Sequence, residues 1–276
     1  MNAQSFSEYL KTQYTSPRSG TISSYLKAIN ILNELFRKND IFNLHNTSIT
    51  EIRDPLLLDS IINFVIDEED KYKRGVFSFF DSVQTGQTSY PRGGFCRAAI
   101  KQLGEFVKRL CHQEVLQLMT DCRNNGMELS TKLLDRFNIN DHGTEKEVRA
   151  KHRLGQDIFR RILLDIYQSK CCISGLEIPE ILRASHIVPW AECEEARLNP
   201  ANGICLSATY DAAFDKHLIT FDEDYKMVLS PMLKEKYSSS AFKAHFLRFE
   251  GKTMTLPSTY LPSKKFMEKH RNNLIT

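Results

Sequence analysis

The chain has 276 residues, 41% hydrophobic and 26% charged, which is enough apolar mass for one large domain or two ordinary ones. The formal net charge is only +3 and neither half is strongly charged, which excludes a basic arm or an acidic tail, so any face for nucleic acid must come from local placement of charge. No run approaches the ~18 apolar residues of a membrane span, Met1–Ser5 lacks the basic start and apolar stretch of a secretory leader, and seven irregularly spaced cysteines suit the reduced thiols of a cytoplasmic protein rather than a disulfide framework.

In chain order, Ile22, Tyr25, Leu26, Ile29, Leu32, Leu35 and Phe36 recur at three and four residues, which predicts an amphipathic helix over 19–36. Asp54 is placed to cap a second helix that turns Leu57, Leu58, Ile61, Ile62 and Val65 inward. Tyr90-Pro91-Arg92-Gly93-Gly94 reads as a turn. A third stripe follows through Ala98, Ala99, Leu103, Phe106, Val107 and Leu110, and a fourth, weaker one through Val115, Leu116, Leu118 and Met119. The polar stretch 138–143 marks a domain boundary, giving a mostly helical domain over 1–140 and a second domain over 141–276. Thr144 with Glu147 is a capping box, opening a helix that carries Val148, Ile158, Phe159, Ile162, Leu163 and Ile166.

The texture then changes. Ser174-Gly175 breaks the helix, 181–188 reads as an extended segment stopped by Pro189, and 203–206 as a second short strand. Residues 209–215 suit one or two helical turns, and 218–221 with 227–229 a hairpin across Asp222-Glu223-Asp224. Strand, strand, short helix is the outline of a ββα unit, so the fold class is α+β.

Within that outline His186 ends a strand, Asn202-Gly203 precedes the next, and Asp211 and Asp215 lie four apart on the following helix. Phosphodiester hydrolysis needs a water deprotonated and negative charge stabilised at the phosphate and the leaving oxygen. A histidine suits the first task and a divalent cation on oxygen ligands the second. Residues at i and i+4 share a helix face, so both aspartates can reach one ion. The Asn202 amide can pin the loop that follows His186, or orient its ring. Each residue also has a plainer reading: a hydrogen-bonded structural histidine, a solvated acidic face, an Asn-Gly turn, and in His217 a surface residue or one behind the site.

The ordered set of Cys172 with Ser174-Gly175, Leu182–Trp190 (LRASHIVPW), Arg197 with Asn199-Pro200 and Asn202-Gly203, Asp211 with Phe214-Asp215, and Leu218-Ile219 resembles the HNH, or ββα-metal, endonucleases, in the branch seen in restriction-like bacterial enzymes. Gly155-Gln156, Phe159-Arg160 and Tyr167 look like that branch's preceding helix, and Pro262 and His270-Arg271 like its closing segment, so the resemblance spans about 145–272. It implies a DNA endonuclease of restriction or phage-defence type using Mg²⁺ or Mn²⁺. His186 would be the general base, Asp211 and Asp215 the metal ligands, Asn202 an orienting residue, and Arg183 or Arg197 a phosphate contact.

The sequence departs from the family at two places. Ser185 stands where many members carry a metal-binding Asp or His, and a hydroxyl is a poor ligand, so coordination would lean on Asp211, Asp215, water and phosphate. No Cys-x-x-Cys knuckle occurs, so no structural zinc is expected, and Cys172 and Cys205 would pack as small hydrophobes. One site per chain and two strands to cut imply a homodimer. The helical domain would serve DNA recognition, through Arg92, Arg97, Lys101, Lys108 and Arg109, or dimerisation. Two other readings fit the same residues: an HNH module that grips DNA without cutting, and a signal-activated nuclease effector of a defence system.

Overall fold

The computed structural model describes residues 3–14 and 20–275. The chain divides into two units, 1–114 and 115–276. The first is all helical: α1 (Ala3–Gln13), α2 (Thr21–Asn39), α3 (Pro55–Lys73), the single turn α4 (Ser89–Arg92) and most of α5 (Phe95–Asp121). The expected stripes form its core: Ile29, Leu32, Leu35 and Phe36 of α2, Leu58, Ile61 and Val65 of α3, and Ala99, Leu103 and Val107 of α5 are all buried. Asp54 caps α3, accepting from the N–H groups of Leu56 (2.8 Å) and Leu57 (3.3 Å), with Pro55 at the first helical position where its missing donor costs nothing.

Two expectations change, while the predicted start of the 19–36 helix at Ser19 lies outside the described residues. The two stripes around 98–110 and 115–119 belong to one unbroken α5, because Cys111-His112-Gln113-Glu114 offers neither glycine, proline nor a cap to stop it. Tyr90–Arg92 are helical rather than a turn, and the chain reverses only at Gly94, where φ is +77°. The guanidinium of Arg97, one expected phosphate contact, is committed to Asp70 and to the Ile66 carbonyl (3.0 Å).

The second unit begins with the end of α5 and α6 (Gly126–Arg136), then α7 (Glu145–Ile166), β1 (Leu182–His186), β2 (Gly203–Ser207), α8 (Ala208–Asp215), β3 (Ile219–Phe221), β4 (Met227–Leu229), α9 (Pro231–Lys236), α10 (Ser240–His245) and α11 (Lys264–Arg271). The division thus falls at 114/115, not at the 140/141 read from composition. The polar loop 138–143 is held inside the second unit: Asp141 binds Arg197, and Ser130 of α6 receives the Leu198 N–H at 3.1 Å. The capping box at Thr144 and Glu147 is present. β1 and β2 pair antiparallel with His186 opposite Gly203, β3 and β4 form a separate antiparallel hairpin, and α8 follows β2 directly. Every residue of β2 is buried. Among the described residues no helix is long and apolar enough to cross a membrane.

Candidate active site

The ββα unit sets its polar residues around one cavity of about 320 Å³, whose lining includes Ser185, His186, Asp211, Asp215, His217 and His270. Four of these were expected there. Among the described residues no Lys or Arg lines it.

His186 is held on three sides. Its ring stacks on Phe159 of α7 (centroids 3.8 Å apart, 12° between planes) and meets the edge of Trp190 at 5.7 Å. Nε2 lies 2.9 Å from the carbonyl oxygen of Arg197. A carbonyl only accepts, so Nε2 carries the proton and Nδ1 keeps its lone pair. Burial lowers the pKa to about 4, against a smaller opposing effect of the Arg197 carbonyl. The ring is therefore neutral at physiological pH, the state a base requires.

Two glycines make this packing possible. A Cβ on Gly203 would lie 2.5 Å from Phe159 and 2.6 Å from Leu163, and one on Gly155 would lie 2.6 Å from Trp190. Gly203 is thus needed for close approach of α7 to β2 rather than for a turn; its backbone is extended. From the sequence Phe159 reads as a core residue of a helix and Gly155 as part of the family's preceding helix, and nothing local shows that they wall the histidine.

Asn202 is buried, with its Oδ1 accepting from Val188 N (2.9 Å) and its Nδ2 donating to the carbonyls of Val188 (3.1 Å) and Ala196 (3.2 Å). It pins both ends of the loop between Val188 and Ala196 and makes no bond to the imidazole, so of the two roles open to it, holding the loop is the one the geometry realises. Ser185, also buried, donates its hydroxyl proton to Asp211 Oδ1 at 2.5 Å. It orients a carboxylate.

Asp211 and Asp215 both open on the cavity from α8. The Asp215 carboxyl is pushed up by burial and by the charge of Asp211, partly offset by His217. Two oxygen ligands one helical turn apart, with mutual repulsion and no lysine or arginine beside them, fit a hard divalent cation that keeps several waters. The described residues contain no cluster of three or more His, Cys, Asp or Glu side chains that would make a closed cage.

The two arginines do not reach the cavity. Arg183 is exposed on β1 and its guanidinium bonds the carbonyls of Glu180 (3.3 Å) and Leu182 (3.0 Å). Arg197 is buried: it grips Asp141 with both terminal nitrogens (3.1 and 2.9 Å) and gives Nε to the Trp190 carbonyl at 3.1 Å. The expectation of a phosphate contact is corrected for Arg197, because all three guanidinium nitrogens are bonded inside the fold and its contribution is the main-chain oxygen that orients His186. Arg197, then His152, hold the Asp141 carboxyl down to about 2.

His270 was visible only as a closing motif. It is buried, stacks on Phe214 (3.7 Å, 5°), donates from Nε2 to the Phe214 carbonyl (3.1 Å) and accepts at Nδ1 from Thr220 (2.9 Å). It thereby fastens α11 to the end of α8 that carries Asp215. Burial, then the neighbouring His217, lower its pKa to about 4. Elsewhere in the unit, burial pushes the Cys205 thiol up to about 12 and raises that of Cys172.

Comparison with known proteins places residues 171–222 in the HNH endonuclease family model. No curated protein matches the chain.

Proposed function

Taking residues 171–222 as the HNH endonuclease domain that they match, we propose that this protein hydrolyses phosphodiester bonds of DNA with His186 as general base. The observation that carries the reading is a neutral imidazole, oriented through Nε2 by the Arg197 carbonyl, lining one cavity with two carboxylates of α8. Nδ1 of His186 removes a proton from the attacking water. Asp211 and Asp215 would hold a divalent cation, Mg²⁺ or Mn²⁺, which when bound supplies positive charge to the phosphate and to the leaving 3′ oxygen. Ser185 keeps Asp211 in its rotamer, and Asn202 keeps the loop that leads to the Arg197 carbonyl. Cleavage on this path leaves 5′-phosphate and 3′-hydroxyl ends.

One candidate active site per chain and two antiparallel strands per duplex favour a two-fold dimer for double-strand cutting. A restriction or phage-defence role, with the helical unit recognising the target, fits the resemblance over 145–272. The test is cleavage of plasmid DNA with Mg²⁺ or Mn²⁺. His186→Ala loses about 10²- to 10⁴-fold in rate, and a variant that cuts like its parent rules His186 out as the base. The alternative of a non-cleaving DNA-binding module draws on Ser185, which puts a hydroxyl where an acidic ligand is usual. Calorimetry that detects no divalent-ion uptake, even with DNA, favours that alternative.

A further inference from the structure

Resting on the nuclease reading above, we propose that His217 is a phosphate-binding residue of the same site, donating a ring N–H to an oxygen of the DNA phosphate.

His217 N–H bonds the Phe214 carbonyl (2.8 Å) and Leu218 N–H the Ala213 carbonyl (2.9 Å), the two-bond Schellman ending of α8. That ending needs a left-handed residue, and His217 has φ of +50°. Glycine adopts this conformation without strain, whereas a residue with a Cβ does not. A histidine kept where glycine is favoured needs a use for its side chain.

The surroundings of the ring narrow that use. His217 lines the cavity beside Asp215. Its ring lies 4.5 Å from that of His270, whose nitrogens are both occupied by Thr220 and the Phe214 carbonyl. His270 therefore offers a wall and no hydrogen bond. Among the described residues neither nitrogen of His217 has a hydrogen-bond partner, and Nδ1 is buried. This sets it apart from His186 and His270. Buried polar nitrogens are rarely left unmet, and a ring without hydrogen bonds can turn about χ2 without losing any. A phosphate in this cavity finds two carboxylates and no lysine or arginine on its walls. The imidazole N–H is the donor the lining supplies to phosphate oxygens.

The Gly variant separates a functional ring from a structural one. Glycine relieves the left-handed backbone, so His217→Gly keeps or raises the melting temperature. With plasmid DNA and Mg²⁺, kcat falls about 10²- to 10³-fold, as for loss of one preorganised donor. His217→Asn, which tolerates the same φ and retains an N–H, recovers part of that loss. A glycine variant that cleaves at the parental rate overturns the proposal. If the parent itself does not cut, the nuclease reading has failed, and the ring is then read directly. A short DNA duplex is titrated into the intact protein with Ca²⁺ while histidine ring-nitrogen NMR signals are followed. A His217 signal that moves with duplex, and a weaker affinity in His217→Gly, uphold the contact; an unmoved signal with equal affinity overturns it.

Discussion

Each unit sets two acidic side chains close together on one helix, and the two pairs have opposite company. In α3, Glu68 and Glu69 are buried and fully answered: Lys71 (2.6 Å) and the Phe79 N–H (2.6 Å) meet Glu68, while Lys73 (2.7 Å) and the Arg97 N–H (2.9 Å) meet Glu69. In α8, Asp211 has the Ser185 hydroxyl, and Asp215 is raised by burial and then by Asp211's charge, with His217 opposing. The lesson is that a pair of carboxylates on one helix reads as architecture when the fold supplies its cations and as a ligand set when it does not. Burial alone fails to distinguish them, since the structural pair is the deeper one.

The comparison can be broken by substitution. Glu69→Ala strips Lys73 and the N-terminus of α5 of their partner, and urea unfolding shows a loss of about 3 kcal/mol, the low end for breaking a buried pair because Lys73 and Arg97 reach solvent. A loss below ~0.5 kcal/mol means the pair is not the anchor it looks to be. Acid sharpens the contrast from the other side. His186 and His270 both have pKa values lowered to about 4 and both lie in the second unit. Folding holds them neutral, so the unfolded chain binds the extra protons: their contribution is complete above about pH 6.5 and drains as pH falls toward 4, at most about 1.4 kcal/mol per pH unit for each. Amide exchange at pH 5 compared with pH 7 reveals this as protection lost first in 115–276, and equal loss in 1–114 contradicts it.

The smallest effect is the most diagnostic. Asp215→Asn removes a like-charge neighbour and raises metal-free stability by a few tenths of a kcal/mol, the reverse of Glu69→Ala. Mg²⁺ then raises the melting temperature of the parent but not of the variant. A variant less stable than its parent without metal, with the same response to Mg²⁺, would place Asp215 with the structural acids.

Much of this was legible in the sequence where short-range rules govern. The helical stripes, the Asp54 cap, the Thr144–Glu147 box and the strand that ends on His186 all follow from spacing, because their bonds join residues a few positions apart. So does the shared face of Asp211 and Asp215. What the sequence hid lies in contacts between distant residues. Arg197 meets Asp141 across 56 positions, which turns a candidate phosphate ligand into a strut and draws the 138–143 loop into the second unit. Helix α6 was missed although Asn125 caps it and Leu129 and Leu133 make its buried stripe, since eleven residues give periodicity little to work with. His217 reads as a surface residue or one behind the site because a left-handed backbone has no signature when the residue there is not glycine.

The packing around His186 also has a practical side. The sequence contains a single tryptophan, and it is the one whose indole meets His186 edge-on and lies under the Arg197 guanidinium at 5.3 Å. The unmodified protein therefore carries one indole fluorophore, excitable apart from its tyrosines, beside its candidate base. Indole emission reports the state of that corner alone, so protonation of the imidazole, loading of the cavity or loosening of the loop can each be followed optically without a label.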